Sequence, residues 1–248
     1  MRSGKEDTSN ALNLIQFASD LKKNLYRYAK REGFIRWRPL VPMNEFTECM
    51  VNYIGILNSR GHEFGDYLEF GVSRGTSIVG AFNALKRMNQ NEARLVGFDS
   101  FEGMPRTAGS EGWAPGAYAS SIGATRRYIE KNGGNFDRIE LVEGWFSETL
   151  NDRMRDELGI SKASIIMVDC DIFSATQDVL NFCTPLIDDV AILIFDDWGP
   201  MERAGKRGQK EAFQEFMDVN PDLSSEAIPS YKTYGAENAR AFIIERKH

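Results

Sequence analysis

The stretch DYLEFGVSRGTSIVGAFNALKR, Asp66 to Arg87, decides the fold. A short apolar run ends at Gly71, a polar turn follows, and a helix-like segment begins at Thr76. This is one strand–turn–helix unit, and the chain repeats it. Further apolar runs occur in ARLVGFDS, RIELVEG, ASIIMVDCD and VAILIFDD, with helix-like segments at Thr125–Lys131, Glu148–Leu158 and Ala175–Cys183 between them. Continuous apolar strands alternating with helices predict a parallel sheet covered on both faces. After a helical pattern at Gln209–Asp218, two strand candidates, Glu226–Tyr231 and Arg240–Glu245, are separated only by a loop, which predicts an antiparallel edge pair. The expected architecture is α/β: a doubly wound sheet of about seven strands with its last pair antiparallel.

Upstream, NLIQFASDLKKNLYRYAK carries apolar residues at spacings of three or four, and a second helix is expected over Met43–Leu57, after the prolines at 39 and 42. Residues 1–60 thus read as an N-terminal helical extension to a domain over 61–248. The segment Glu102–Thr125 fits neither template. It is rich in Gly, Ala and Ser, and a loop of this length in a compact domain suggests a lid, a disordered insertion being the alternative.

The 248 residues suffice for a sizeable core, and 42% hydrophobic with 27% charged residues is ordinary for a globular protein. The net charge of −6, without a basic run, argues against nucleic acid or an anionic membrane as partner. No apolar stretch is long enough to span a bilayer, and the polar first residues lack a signal-peptide core, so a cytoplasmic location is expected. Cys49, Cys170 and Cys183 are widely spaced and form no CxxC pair, which predicts reduced thiols rather than a disulfide framework or zinc site.

In such sheets ligands bind beyond the carboxyl ends of the strands. The first strand ends LEFGVSRGTS. Gly71 and Gly75 permit a tight turn, and Thr76 and Ser77 are candidate helix caps. The second ends FDSFEG and places Asp99 where related folds hold a ribose hydroxyl. The pattern is not GxGxxG. Glu69, two residues before Gly71, disfavours a pyrophosphate and favours a ligand with positive charge, such as S-adenosylmethionine; a structural ion pair at Glu69 is the plainer alternative. After the third strand, Gly144 turns the chain, and Trp145 and Phe146 are either an adenine wall or core aromatics at a helix start.

The fourth strand ends VDCDIFSAT and the fifth IFDDWG, so Asp169, Asp171, Asp196 and Asp197 are expected at one rim. Four such carboxylates repel unless protonated or neutralised. A hard divalent cation such as Mg²⁺ is the natural remedy, although one of them can instead cap a helix, and Asp169 can serve the cofactor side.

The set LEFGVSRGTS, GFDSFEGMP, VEGWFSETL, VDCDIFSAT and IFDDWG resembles the macrocin O-methyltransferase family, in order, from about Asp66 to Glu215. The resemblance implies a Rossmann-like class I methyltransferase domain. It implies an S-adenosylmethionine- and Mg²⁺-dependent enzyme that methylates a hydroxyl of a sugar or glycosylated natural product. It implies Asp171, Asp196 and Asp197 as metal ligands, with Asp171 also accepting the substrate proton. It implies Glu69, Gly71, Asp99 and Ser100 at the cofactor, and Ser73, Thr76, Ser77, Phe101, Gly144, Trp145, Phe146 and Asp169 complete the candidate cofactor set. A homodimer or higher homo-oligomer is expected from the family. One departure stands out: some relatives use a lid histidine, whereas this chain has only His62 and His248, both read as surface residues.

Competing readings are a catechol-type O-methyltransferase, a metal-dependent hydrolase, an NAD(P)-dependent oxidoreductase and a silent binding protein. Trp37, between Arg36 and Arg38, lines an acceptor pocket or packs at an interface on this reading. The loop GPMERAGKRGQ after Trp198 is a further candidate for acceptor selection.

Overall fold

Strand β1 (Asp66–Phe70) is buried at every position because its side chains alternate between two cores. Tyr67 enters one, while Leu68 and Phe70 enter the other. β4 (Ala163–Val168) and β5 (Val190–Phe195) divide likewise: Ile165, Met167, Ile192 and Ile194 face one side, Ile166, Val168, Leu193 and Phe195 the other. Burial on both faces makes these strands continuous apolar runs.

The computed structural model describes residues 3–199, 205–231 and 239–247, with side chains from residue 16 onward. Together with β2 (Leu95–Asp99), β3 (Ile139–Glu143), β6 (Leu223–Ile228) and β7 (Arg240–Arg246), these strands form one sheet in the order β3-β2-β1-β4-β5-β7-β6. β7 runs antiparallel to both β5 and β6, and the remaining pairs are parallel. Strand order reverses between β1 and β4, which opens the crevice where such sheets bind ligands.

Helices α1 (Ser3–Arg31), α2 (Met43–Ser59), α3 (Thr76–Arg87), α4 (Ala108–Glu111), α5 (Ile122–Lys131), α6 (Phe146–Thr149), α7 (Asp152–Leu158), α8 (Phe173–Cys183) and α9 (Gln209–Val219) complete the described chain. α2 is not an appendage. Its Phe46, Met50, Tyr53, Ile54 and Leu57 are buried in the same core as α3, so the structural body starts near Met43 rather than at residue 61. The expected helix at Glu148–Leu158 is split, because Asn151 adopts an extended backbone and its side chain caps α7 at the Met154 N–H, 3.0 Å away. β6 ends before Pro229, which has no N–H to offer a strand, and Tyr231 turns back into the core instead of extending the sheet. No helix among the described residues is long and apolar enough to cross a membrane. The three cysteines are free.

Candidate active site

At the switch point β1 and β4 come so close that only glycine fits. Gly71 has φ +98°, and a Cβ there would lie 1.7 Å from the Asp169 carbonyl oxygen. The Asp169 N–H in turn bonds the Phe70 carbonyl at 2.9 Å. Beyond this junction lies a cavity of about 640 Å³. Its floor holds Gly71, Asp99, Ser100, Asp169, Asp171, Asp196 and Asp197. Ser73, Thr76, Ser77, Gly144, Trp145 and Phe146 also line it.

Two expected cofactor residues stand behind the wall instead. Glu69 is fully buried and absent from the lining; the Tyr67 hydroxyl donates to one oxygen at 2.6 Å and the Ser77 hydroxyl to the other at 2.7 Å. Burial raises its carboxyl to about 8, with the two hydroxyl bonds opposing and the Asp99 and Asp196 charges adding to the rise. With both oxygens engaged and no place in the cavity lining, Glu69 makes no direct contact there, and any influence on a cationic ligand would act through the wall. Glu69 ties the start of α3 to β1. Phe101 is likewise in the core, with φ +54°, and contributes its backbone. Nor do Thr76 and Ser77 cap α3: its N-cap is Gly75, in the left-handed region, and the Thr76 hydroxyl accepts from the Trp37 indole N–H at 2.9 Å.

Asp99 ends β2 with its carboxylate held from two sides. Ser73 N–H and Phe101 N–H each donate to it at 2.7 Å. Burial pushes its carboxyl up against the pull of these bonds. The orientation is fixed by backbone, and the remaining lone pairs are available to the cavity.

Across the cavity, oxygens of Asp169, Asp196 and Asp197 lie within 4.8 Å of one another. Burial and the surrounding carboxylates push Asp169 and Asp197 well above the usual range. Burial raises Asp196 too, against a 2.7 Å hydrogen bond from the Tyr231 hydroxyl. Asp171, at φ +61°, lies beside them, its carboxyl in contact with that of Asp197 and raised to about 7, chiefly by burial. Asp197 Oδ2 is buried without a hydrogen-bond partner. The tightest triad therefore takes in Asp169, which the sequence reading placed on the cofactor side, with Asp171 at its margin.

Two supports of this frame, Gln209 and Tyr231, escaped sequence reading as such, whereas Trp37 and the segment 102–125 were candidates for the cavity wall. Gln209, fully buried at the start of α9, accepts from the Asp197 N–H at 2.9 Å and donates to the Val168 carbonyl at 3.1 Å. Tyr231 anchors Asp196. The segment between α1 and α2 supplies Trp37, Pro39, Leu40 and Val41 to the cavity wall, and residues 102–125 supply Met104, Pro105, Thr107, Trp113, Ala117 and Tyr118. The latter segment contains α4 and packs on α8 through Met104, Ala108 and Trp113 against Ile172 and Ala175. His62 lies at the opposite end of the sheet, its Nδ1 3.3 Å from Asp189 and half-buried rather than fully on the surface. His248 and residues 200–204 of the GPMERAGKRGQ loop lie outside the described residues.

The family model for macrocin-O-methyltransferase (TylF) matches residues 43–226, from the start of α2 into β6. The chain belongs to this family. Among relatives, an 8-demethyl-8-(2,3-dimethoxy-alpha-L-rhamnosyl)-tetracenomycin-C 4'-O-methyltransferase of Streptomyces olivaceus is 28% identical over 144 residues, 54% of this chain and 53% of that protein. A mycinamicin III 3''-O-methyltransferase of Micromonospora griseorubida is 25% identical over 145 residues, 54% of this chain and 55% of that protein. The chain thus matches little more than half the length of these relatives. The O-methyltransferase NovP superposes with a TM-score of 0.65 at 20% identity, covering 82% of this chain and 80% of that one. The macrocin-O-methyltransferase family chain therefore has the class I methyltransferase fold, and the seven-stranded sheet with its reversed β7 is that fold's sheet.

Proposed function

We propose that this chain is an S-adenosylmethionine-dependent O-methyltransferase acting on a hydroxyl of a sugar or glycosylated natural product, with Mg²⁺ at its carboxylate cluster. One observation carries the reading. A carboxylate fixed for diol recognition, Asp99, and an all-oxygen cluster built for a hard cation face each other across one cavity.

The residues fit both groups. Gly71 permits the backbone approach that a bound cofactor needs, Asp99 presents lone pairs toward a ribose, and Trp145 and Phe146 offer an aromatic wall. At the cluster, the unpartnered Asp197 Oδ2 and the upward-shifted carboxyls are the signature of missing positive charge. Asp169, Asp196 and Asp197, with Asp171 beside them, are the proposed ligands, and carboxylate oxygens suit Mg²⁺. S-adenosylmethionine supplies the electrophilic methyl group, and the cation supplies Lewis acidity toward an acceptor hydroxyl.

The chain's own share is placement. Asp99 and the turn at Gly71 hold one reactant, while the β4 and β5 ends hold the other, which turns an encounter into an oriented pair. Asp171 faces the cavity and is placed to take the acceptor proton. Residues 102–125 act as a lid that excludes water, and Trp37, Met104 and Trp113 form the acceptor's apolar wall. The relatives' names speak of glycosylated acceptors, which favours sugars over catechols here.

The test is calorimetric titration of S-adenosylmethionine with Mg²⁺ and with EDTA, alongside Asp99→Asn, followed by methyl transfer to glycosides. Binding weakened about tenfold or more in the variant, roughly 1.4 kcal/mol, supports the cofactor site. Turnover of esters or phosphates without S-adenosylmethionine would point instead to a hydrolase.

A further inference from the structure

Residues 35–41, between α1 and α2, supply Trp37, Pro39, Leu40 and Val41 to the cavity wall, yet no backbone–backbone hydrogen bond to a described residue holds them. Side chains hold them instead. Val41 packs on the core beside α2. The Trp37 indole N–H donates to the Thr76 hydroxyl at 2.9 Å, and the Arg74 guanidinium stands 5.7 Å from the centre of the Trp37 ring. Both of these anchors belong to the turn between β1 and α3, where the Ser73 N–H bonds Asp99.

Arg74 is only 5% exposed, a costly place for a cation. Its Nη2 donates to the Lys30 carbonyl at 2.6 Å and to the Arg31 carbonyl at 3.3 Å. Those are end carbonyls that α1 cannot satisfy by itself, at the negative end of the helix dipole. Gly33, at φ +78°, leaves room for the guanidinium: a Cβ there would lie 2.4 Å from Arg74 Nη1. Arg74 Nε is buried without a hydrogen-bond partner. An exposed lysine would cap α1 at less cost, so capping alone does not account for a buried guanidinium with one N–H unmatched.

We infer that Arg74 is a positioning residue that carries cofactor occupancy to the acceptor wall. A cofactor seated on the turn from Ser73 to Thr76 fixes Arg74 and Thr76, and through them Trp37 and residues 35–41. The inference rests on the proposed function for the cofactor's place. Such coupling is reciprocal, so an ordered wall also tightens the cofactor. It sets an order of events too: the cofactor binds first and builds the wall that the acceptor meets. Losing the guanidinium does not detach α1, because the Ser121 N–H still bonds the Arg31 carbonyl at 3.1 Å and Arg127 the Glu32 carbonyl at 2.8 Å.

Hydrogen exchange of the full chain with and without S-adenosylhomocysteine tests this, together with calorimetry of the same ligand. The variants are Arg74→Met, which keeps the stem and loses the donors, and Trp37→Phe, which keeps a ring and loses the N–H. In the parent the ligand should slow exchange across residues 33–41 about fivefold. Both variants should still bind it, with affinity lowered by no more than about that factor, and should lose the slowing. Faster exchange in Arg74→Met with the same ligand-induced slowing would make Arg74 a support of the fold alone and overturn the inference. A loss of affinity of about a hundredfold would make it a direct cofactor contact and overturn it as well. A parent that binds the ligand without slowing at residues 33–41 overturns this inference only. A parent that does not bind it overturns the proposed function, and this inference with it.

Discussion

Glu111 caps a helix that begins 62 residues later: its Oε2 accepts the Phe173 N–H at 2.7 Å, and its Oε1 accepts the Ser174 hydroxyl at the same distance. α8 has no cap of its own, since its N-cap position is Ile172. The carboxylate also meets the positive end of the helix dipole. Because the turn just before α8 carries Asp169 and Asp171, this bond ties the covering segment to the acid cluster. Glu111→Ala is expected to cost about 1 kcal/mol, as lost caps do. It should also speed hydrogen exchange across residues 102–121 and raise KM for the acceptor more than it lowers kcat. Exchange rates equal to the parent's in that segment would show that the cap does not hold the cover down.

The acid cluster makes stability depend on pH in a direction the cation should reverse. Without a cation, Asp169, Asp171, Asp196 and Asp197 all sit above their unfolded values. The folded state then holds protons that the unfolded state has released, so stability falls as pH rises from about 4 through the folded values, near 7 for Asp171. A bound cation needs the ionised forms, so its stabilisation grows over the same range. Melting temperatures at about pH 6 and about pH 8, with Mg²⁺ or EDTA, should show a larger Mg²⁺ gain at the higher pH, and Asp197→Ala should abolish it. A gain independent of pH, or retained in the variant, would remove the cluster as the site.

Glu69→Gln separates a positioning role from a cofactor contact. At about pH 4 the parent's carboxyl is protonated in the folded and the unfolded chain alike, so amide and acid are near-isosteric there and stability should change little. The folded pKa lies above the unfolded 4.5, so the parent loses stability between about 4.5 and 8 and the variant does not. Above pH 8 the variant should be the more stable. Affinity for S-adenosylmethionine should stay within about threefold, under 1 kcal/mol. A loss of tenfold or more would place Glu69 in contact with the cofactor.

Much of this was legible because strand ends advertise themselves. Five parallel strands and the four rim aspartates follow from apolar runs that stop at Gly or Asp, and the reversed pair from two further runs joined only by a loop, signals carried by consecutive residues. What failed depended on partners distant in sequence. Glu69 reads as an open charge until Tyr67 and Ser77 are seen to hold both its oxygens. The periodicity of α2 announces an apolar face but not that α3 covers it, which is why the body boundary was set too late. Glu111, in a segment without periodicity, gives no local sign of capping α8. For Tyr231 the strand reading, Glu226–Tyr231, lay three residues beyond the observed Leu223–Ile228, which hid that the Tyr231 hydroxyl reaches Asp196.

Gln209 is the clearest of these unseen supports, and its variants make the sharpest test of the cluster's rigidity. It is an uncharged residue with no solvent contact, and it spends both ends of its amide on backbone: the Asp197 N–H and the Val168 carbonyl. It thereby locks the exits of β4 and β5 to each other, and with them the separation of Asp169 from Asp197. Gln209→Ala leaves the buried Asp197 N–H without its partner, at about 1–3 kcal/mol if water does not enter, while the Val168 carbonyl keeps its 3.1 Å bond from the Asp196 N–H. The Mg²⁺ dissociation constant should rise about tenfold or more, as with lost groups behind metal ligands, while S-adenosylmethionine affinity, which the proposed function assigns to Asp99 on the far side, should change little. Gln209→Glu keeps the acceptor for the Asp197 N–H but loses the donor to Val168 and adds another carboxyl beside the cluster, so it should bind Mg²⁺ no better than Gln209→Ala. Titration of Mg²⁺ into both variants decides the matter. Equal Mg²⁺ affinity in parent and Gln209→Ala, with the expected loss of stability, would make Gln209 a support of the fold alone.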